Sequence, residues 1–154
     1  MKKPLKIGGQ APLFELKTDE GKTVRLADAL QLGPVILIFY PGDRTPGCTI
    51  QLCAIRDDWQ DFRDLGLQVF GVNHADAASH RAFSAAHRFP FPLLVDEKKT
   101  VSKTYGAIRS ILGIQVIRRT VVGISEDGII RYLREGLPKN AEILKAMKPF
   151  AHKK

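Results

Sequence analysis

Two short, continuously apolar runs bracket a stretch of helical periodicity, and this arrangement constrains the fold more than any other feature of the chain. Val35, Ile36, Leu37, Ile38, Phe39 and Tyr40 form the first run, closed by Pro41. Such a run suits a strand covered on both faces. Residues 67–73 form the second. Between them Leu52, Ile55, Trp59 and Phe62 recur at spacings of three and four, with Arg56, Asp57, Gln60, Asp61 and Asp64 interspersed. That pattern predicts a helix from Cys48 to about Leu65, stopped by Gly66. A strand–helix–strand unit of this kind makes a parallel pair through a crossover.

The flanking segments extend the unit. Residues 9–16 and 23–26 predict an N-terminal hairpin about a turn containing Gly21. Residues 77–88 predict a helix, Phe89-Pro90-Phe91-Pro92 ends it, and a strand over 93–96 and a short helix over 98–105 follow. Residues 118–125 and 129–133 predict a second hairpin around Glu126-Asp127-Gly128. A last helix runs from Asn140, a candidate N-cap, to about Met147. This order predicts an α/β chain: a thioredoxin-like, three-layer α/β/α sandwich with a mixed sheet and an N-terminal β-hairpin extension. At 154 residues a single domain over 1–154 is expected.

Composition narrows the partners. The net charge of +8 comes from 24 basic and 16 acidic residues, and the basic ones are scattered in short runs such as Lys98-Lys99 and Arg118-Arg119. No aromatic–basic interleaving accompanies them, so a solvated basic surface is expected rather than nucleic-acid binding. No apolar run approaches the ~20 residues that span a bilayer, so no membrane partner is expected. Lys2 and Lys3 are followed by no apolar signal region. The expectation is a cytoplasmic protein, where thiols stay reduced and disulfides are transient and catalytic.

Both cysteines lie at the opening of the predicted helix, in Thr45-Pro46-Gly47-Cys48-Thr49-Ile50-Gln51-Leu52-Cys53. The helix N-terminus favours a thiolate at Cys48. Pro46-Gly47 forces a tight turn before it, and Thr45 places a hydroxyl three residues away. At ~100° per residue Cys48 shares a face with Leu52, Ile55 and Trp59, so it is expected to face the core side. Cys53 falls about 140° away, alongside Arg56, Asp57 and Gln60, and is expected to be more exposed or on a secondary face. Five residues of ideal helix separate the Cα atoms by roughly 8.6 Å. A disulfide needs about 4.4–6.8 Å. The two sulfurs can therefore bond only if the first turns unwind. A pair of buried structural cysteines is the plain alternative. A zinc site lacks a second Cys/His pair.

Pro41, Thr45 and Cys48 match the Pro-x-x-x-Thr-x-x-Cys signature of the peroxiredoxins. Phe39-Tyr40-Pro41, Thr45 to Thr49 and a cysteine at 53 resemble the bacterioferritin-comigratory-protein/PrxQ subfamily of the AhpC/TSA family. Gly9-Gln10-Ala11-Pro12 with Phe14, Ser79-His80 with Phe83, residues 90–94 with Asp96, and Arg119 before Gly128 extend the resemblance over nearly the whole chain. It implies a peroxidase acting on hydrogen peroxide and small organic hydroperoxides, in antioxidant defence and redox homeostasis. Cys48 would be peroxidatic and Cys53 resolving. Thr45 would orient the peroxide, Arg119 would lower the Cys48 pKa and bind peroxide oxygen, and Pro41 would shield the pocket. Adjacent strand residues face opposite ways, and counting back from Gly128 favours Arg119 over Arg118. Thioredoxin or a similar dithiol would be the reductant, and no metal or organic cofactor is required. An intramolecular resolving cysteine favours a monomer.

Two other functions fit less well. A thiol–disulfide oxidoreductase usually carries Cys-x-x-Cys. A copper chaperone on this fold would want Cys-x-x-x-Cys, a distant His and a membrane anchor. Asn73-His74-Ala75-Asp76 is assigned no catalytic role. His80 and His87 are expected on an amphipathic helix surface rather than in a metal site, and Trp59 in the core.

Overall fold

A computed structural model of the chain describes residues 5–152, the side chain of Cys48 excepted. Its centre is strand β3 (Val35–Phe39), every residue of which is buried. Odd and even positions serve opposite faces, as a two-residue period requires. Val35, Leu37 and Phe39 enter one apolar core, and Ile36, Ile38 and then Tyr40 enter the other. β4 (Gln68–Asn73) pairs with β3 in parallel, and β5 (Leu93–Val95) pairs in parallel with β4. β8 (Thr120–Ile124) and β9 (Ile130–Glu135) continue the sheet antiparallel on the other side of β3. The hairpin of β1 (Glu15–Thr18) and β2 (Thr23–Arg25) adds to β5, giving the order β2-β1-β5-β4-β3-β8-β9.

Helices cover both faces. α1 (Leu26–Leu32) and α5 (Thr100–Thr104) contribute Leu26, Leu30 and Val101 to the first core. α2 (Pro46–Asp57), α3 (Trp59–Asp64), α4 (Ala77–His87) and α6 (Asn140–Met147) contribute Leu52, Ile55, Phe62, Phe83, Ile143 and Met147 to the second. The expected three-layer sandwich with a mixed sheet and an N-terminal hairpin is what forms.

Several local expectations are corrected. The helix predicted from Cys48 to Leu65 is two helices, broken at Asp58 (φ −99°, ψ 19°). There Asn140 donates its amide both to the Ala54 carbonyl (2.9 Å) and to the Asp58 carboxylate (2.8 Å). Asn140 therefore does not cap α6; Lys139 occupies that position and makes no side-chain cap bond. The first predicted strand shortens to Glu15–Thr18, with Gln10 forming an isolated bridge to Ile129. α1 and a separate hairpin, β6 (Ile108–Ile111) and β7 (Ile114–Ile117), were not foreseen. The hairpin turns on Leu112 and Gly113, both at positive φ (49° and 80°). Such a turn is normally announced by Asn-Gly, and a leucine there hides it.

Candidate active site

The site is built where the central strand stops. Tyr40 still donates its N–H to Val72 (3.2 Å), and its carbonyl accepts from the buried Asn73 amide (2.8 Å). Pro41 has no N–H to continue the ladder, and the chain leaves the sheet. A turn follows at Asp43-Arg44, with Arg44 left-handed (φ 64°). Thr45 is then extended as the N-cap of α2, and Pro46 opens the helix, where its missing N–H is not needed. The Thr45 carbonyl receives the N–H of Thr49 (2.9 Å). Cys48 is the third residue of α2. Its backbone N–H and that of Gly47 thus point out of the open, electropositive end of the helix. The inward direction expected for the Cys48 side chain lies outside the described residues.

The loop between β3 and α2 is tied down at Asp43. Its Oδ1 accepts from the Tyr40 hydroxyl (2.7 Å), and its Oδ2 accepts from the Ser79 hydroxyl (2.7 Å) and from His80 Nδ1 (2.8 Å). The other His80 nitrogen, Nε2, donates to the Leu94 carbonyl (3.0 Å). The Asp43 and His80 side chains are 4% and 0% exposed. Burial alone would raise the Asp43 pKa. Hydrogen bonds from His80, Ser79 and Tyr40, with the charge of His80, outweigh it and hold the carboxyl below its ordinary value. An ionised carboxylate and a carbonyl both only accept, so both nitrogens of His80 donate and the pair is a buried ion pair. The expectation that His80 lies on a surface is overturned. The signal was present, because His80, Phe83 and His87 share one helical stripe at spacings of three and four.

Thr45 and the arginines frame the first turn of α2. The Thr45 hydroxyl donates to the Gly42 carbonyl (3.0 Å), which leaves its oxygen free to accept. Arg119 precedes β8, whose Thr120 pairs with Phe39. It therefore lies level with the point where β3 gives way to the loop. A Cβ placed on Gly47 would overlap the Arg119 guanidinium, so that group packs directly against the residue before Cys48. Arg118 engages elsewhere: its Nη1 meets Glu135 Oε1 (3.1 Å) and its Nη2 donates to the Gly106 carbonyl (2.6 Å). The two arginines engage different partners, as expected, but they lie in the link between β7 and β8 rather than on a strand, so strand alternation is not the cause.

Cys53 is half-buried on the flank of α2 against the second core. Its Sγ lies 3.6 Å from His87 Nδ1. Trp59 is half-buried, near-parallel to Phe62 (centroids 6.4 Å apart) and tilted against Phe91 (5.7 Å). Asp76, in the segment assigned no catalytic role, caps α4 by accepting from Ser79 N–H (2.8 Å). Among the described residues no group of three or more His, Cys, Asp or Glu side chains could hold a metal, and no helix is long and apolar enough to cross a membrane.

The sheet is thioredoxin-like, and Cys48 stands in the first turn of the helix that follows its central strand. Residues 7–133 match the AhpC/TSA family, and the chain belongs to it. It is 42% identical to chloroplastic peroxiredoxin Q of Triticum aestivum over 126 residues, covering 82% of this chain and 57% of that protein. It is 40% identical to chloroplastic peroxiredoxin Q of Arabidopsis thaliana over 126 residues, with the same two coverages. The chain thus spans a little over half the length of these curated relatives. Among solved structures, peroxidoxin BcpB from Mycobacterium tuberculosis aligns with a TM-score of 0.88 at 29% identity, over 96% of this chain and 99% of that one. A PrxQ mutant from Xylella fastidiosa aligns at 0.87 over 96% and 98%, and at 24% identity it speaks for the fold alone.

Proposed function

We propose that the chain is a thiol-dependent peroxidase of one domain, reducing hydrogen peroxide and small organic hydroperoxides. The observation that carries this is the packing of the Arg119 guanidinium against Gly47 at the open end of α2. It puts a fixed cation and free backbone N–H groups around the first turn that bears Cys48, the environment that turns a thiol into a nucleophilic thiolate.

The Cys48 thiolate attacks one peroxide oxygen. An S–O bond forms, the O–O bond breaks, and hydroxide or alkoxide leaves and is protonated to water or alcohol. Negative charge grows on the leaving oxygen, and Arg119 with the N–H groups of the α2 end stabilises it without rearranging. The donor of Thr45 is already committed to Gly42, so its oxygen is left to accept the peroxide O–H and orient the substrate. Pro41 closes the sheet side of this space. The Cys53 thiol then condenses with the Cys48 sulfenic acid, giving an intramolecular disulfide and water. A thioredoxin-type dithiol returns both sulfurs to thiols. The cycle is complete within one chain, in keeping with a monomer, and it needs the reducing setting expected of the cytoplasm. The plant relatives are named for the chloroplast.

Peroxide consumption by two variants tests the assignment. Cys48→Ser abolishes it. Cys53→Ser consumes one equivalent and then stops, with the sulfenic acid trapped by dimedone. A Cys48→Ser protein that consumes peroxide at the wild-type rate overturns the proposal.

A further inference from the structure

The peroxidase reading leaves open how Cys53 becomes a nucleophile. A free thiol is only a few per cent thiolate near neutral pH, yet the thiolate is the species that attacks sulfur. We propose that His87 is the base that takes the Cys53 proton, a catalytic role that rests on the reading of Cys53 as the resolving thiol.

The geometry around His87 is built rather than incidental. Its Nδ1 lies 3.6 Å from Cys53 Sγ, within hydrogen-bond reach for sulfur. The ring is held by two others. Phe89 stacks on it (centroids 5.6 Å, 21° between planes), and Phe83 meets it edge-on (5.4 Å, 79°). Arg88, left-handed at φ 54°, caps α4 at the residue before Phe89. The backbone is engaged as well, because Arg56 Nη1 donates to the His87 carbonyl (2.7 Å). Cys53 and Arg56, three residues apart on one face of α2, therefore both land on His87.

The charged neighbours favour transfer. From α2, Arg56 faces the His87 carbonyl and also bonds Asp57 through Nε (3.1 Å) and Nη2 (2.9 Å). On the α4 side the charged neighbour in the chain is Arg88. A guanidinium near the sulfur stabilises the thiolate, and the thiolate in turn holds the imidazolium that forms beside it. The step balances. The S–H proton of Cys53 passes to His87 Nδ1. The Cys53 sulfur attacks the Cys48 sulfenic sulfur, the S–S bond forms and the S–O bond breaks. The departing hydroxide takes up a proton as water, and His87 returns its own to solvent. The proton leaves while α2 is folded, so unwinding delivers a thiolate rather than a thiol.

Cys48→Ser protein offers a clean test, because the chain has two cysteines and Cys53 is then its single thiol. Its alkylation by iodoacetamide is followed by intact mass from about pH 5 to pH 10, with and without His87→Gln. The rate near pH 7 is taken relative to the rate at pH 10, which cancels any change in access. The expected result is a roughly tenfold lower ratio with His87→Gln, because the base that takes the thiol proton near neutral pH is gone. Equal ratios overturn the proposal. In the two-cysteine protein, disulfide formation after one equivalent of hydrogen peroxide slows by a similar factor in His87→Gln; an unchanged rate contradicts the role of His87 alone. A wild-type chain that forms no disulfide instead contradicts the peroxidase reading, and the alkylation result stands apart from it.

Discussion

At the scale of single residues, the proposed site divides its labour between groups at the open end of α2 and groups that hold the loop. Arg119 and Arg118 are neighbours of identical chemistry, so they make an internal control. Arg119 packs against Gly47, and Arg118 pairs with Glu135. Arg119→Met is expected to slow the peroxide step about 100-fold, the scale of losing one preorganised donor. Arg118→Met is expected to change it by less than about threefold, since exposed ion pairs contribute little. Stopped-flow measurement of the first turnover distinguishes the two. Asp43 belongs to the holding groups. Its carboxyl has a lowered pKa in the folded chain because the hydrogen bonds from His80, Ser79 and Tyr40 outweigh the opposing effect of burial. A depressed pKa means stability that is fully present above the ordinary carboxylate value near 4 and is lost as pH falls through the folded-state value. Asp43→Asn is therefore expected to cost about 3 kcal/mol at neutral pH by breaking the buried pair. It should also remove part of the acid dependence of the urea midpoint. A variant as stable as wild type at neutral pH and equally acid-sensitive would contradict this role.

At the scale of elements, the proposed cycle asks α2 to do two things that conflict. Intact, it gives Cys48 its electropositive first turn, but it keeps Cys53 about 8.6 Å away along an ideal helix. The anchors of α2 are concentrated in its second half. Ala54 O and Asp58 are held by Asn140, and Arg56 is held by the His87 carbonyl. Opening should therefore run from Pro46 and stop near these anchors. Amide exchange is expected to rise on oxidation over residues 49–53, while the Asp58 N–H, bonded to Ala54 O at 3.1 Å, stays protected. Uniform protection along α2 in the oxidised protein would rule out this coupling. Much of this element was legible beforehand. The spacing of Leu52, Ile55 and Phe62 marks the buried face. The break at Asp58 was not legible, and the residue that bonds it, Asn140, is 82 residues on. The pairing of Cys53 with His87 was hidden in the same way, since α3 and β4 separate the two helices and the contact spans 34 positions. Asp43 and His80 were visible as residues, but their bond crosses 37 positions and no local period announces it.

At the scale of the whole molecule, the sheet order explains why these pieces meet. β3 lies between β4 and β8. The loop leaving β3 therefore has the start of β8, preceded by Arg119, on one side and the first turn of α4, with Ser79 and His80, on the other. The late antiparallel hairpin brings the arginine, and the parallel crossover brings the histidine. Everything the proposed cycle needs, apart from peroxide and the external dithiol, then lies within one chain of 17.1 kDa. Intact mass under non-reducing conditions, taken within seconds of adding one equivalent of hydrogen peroxide to the reduced protein, tests this most directly. The account predicts a single chain lighter by about 2 Da, the two hydrogens lost as a disulfide forms, with Cys48 and Cys53 joined in its peptide map. A cross-linked species of two chains, or a mass unchanged while peroxide persists, would contradict it.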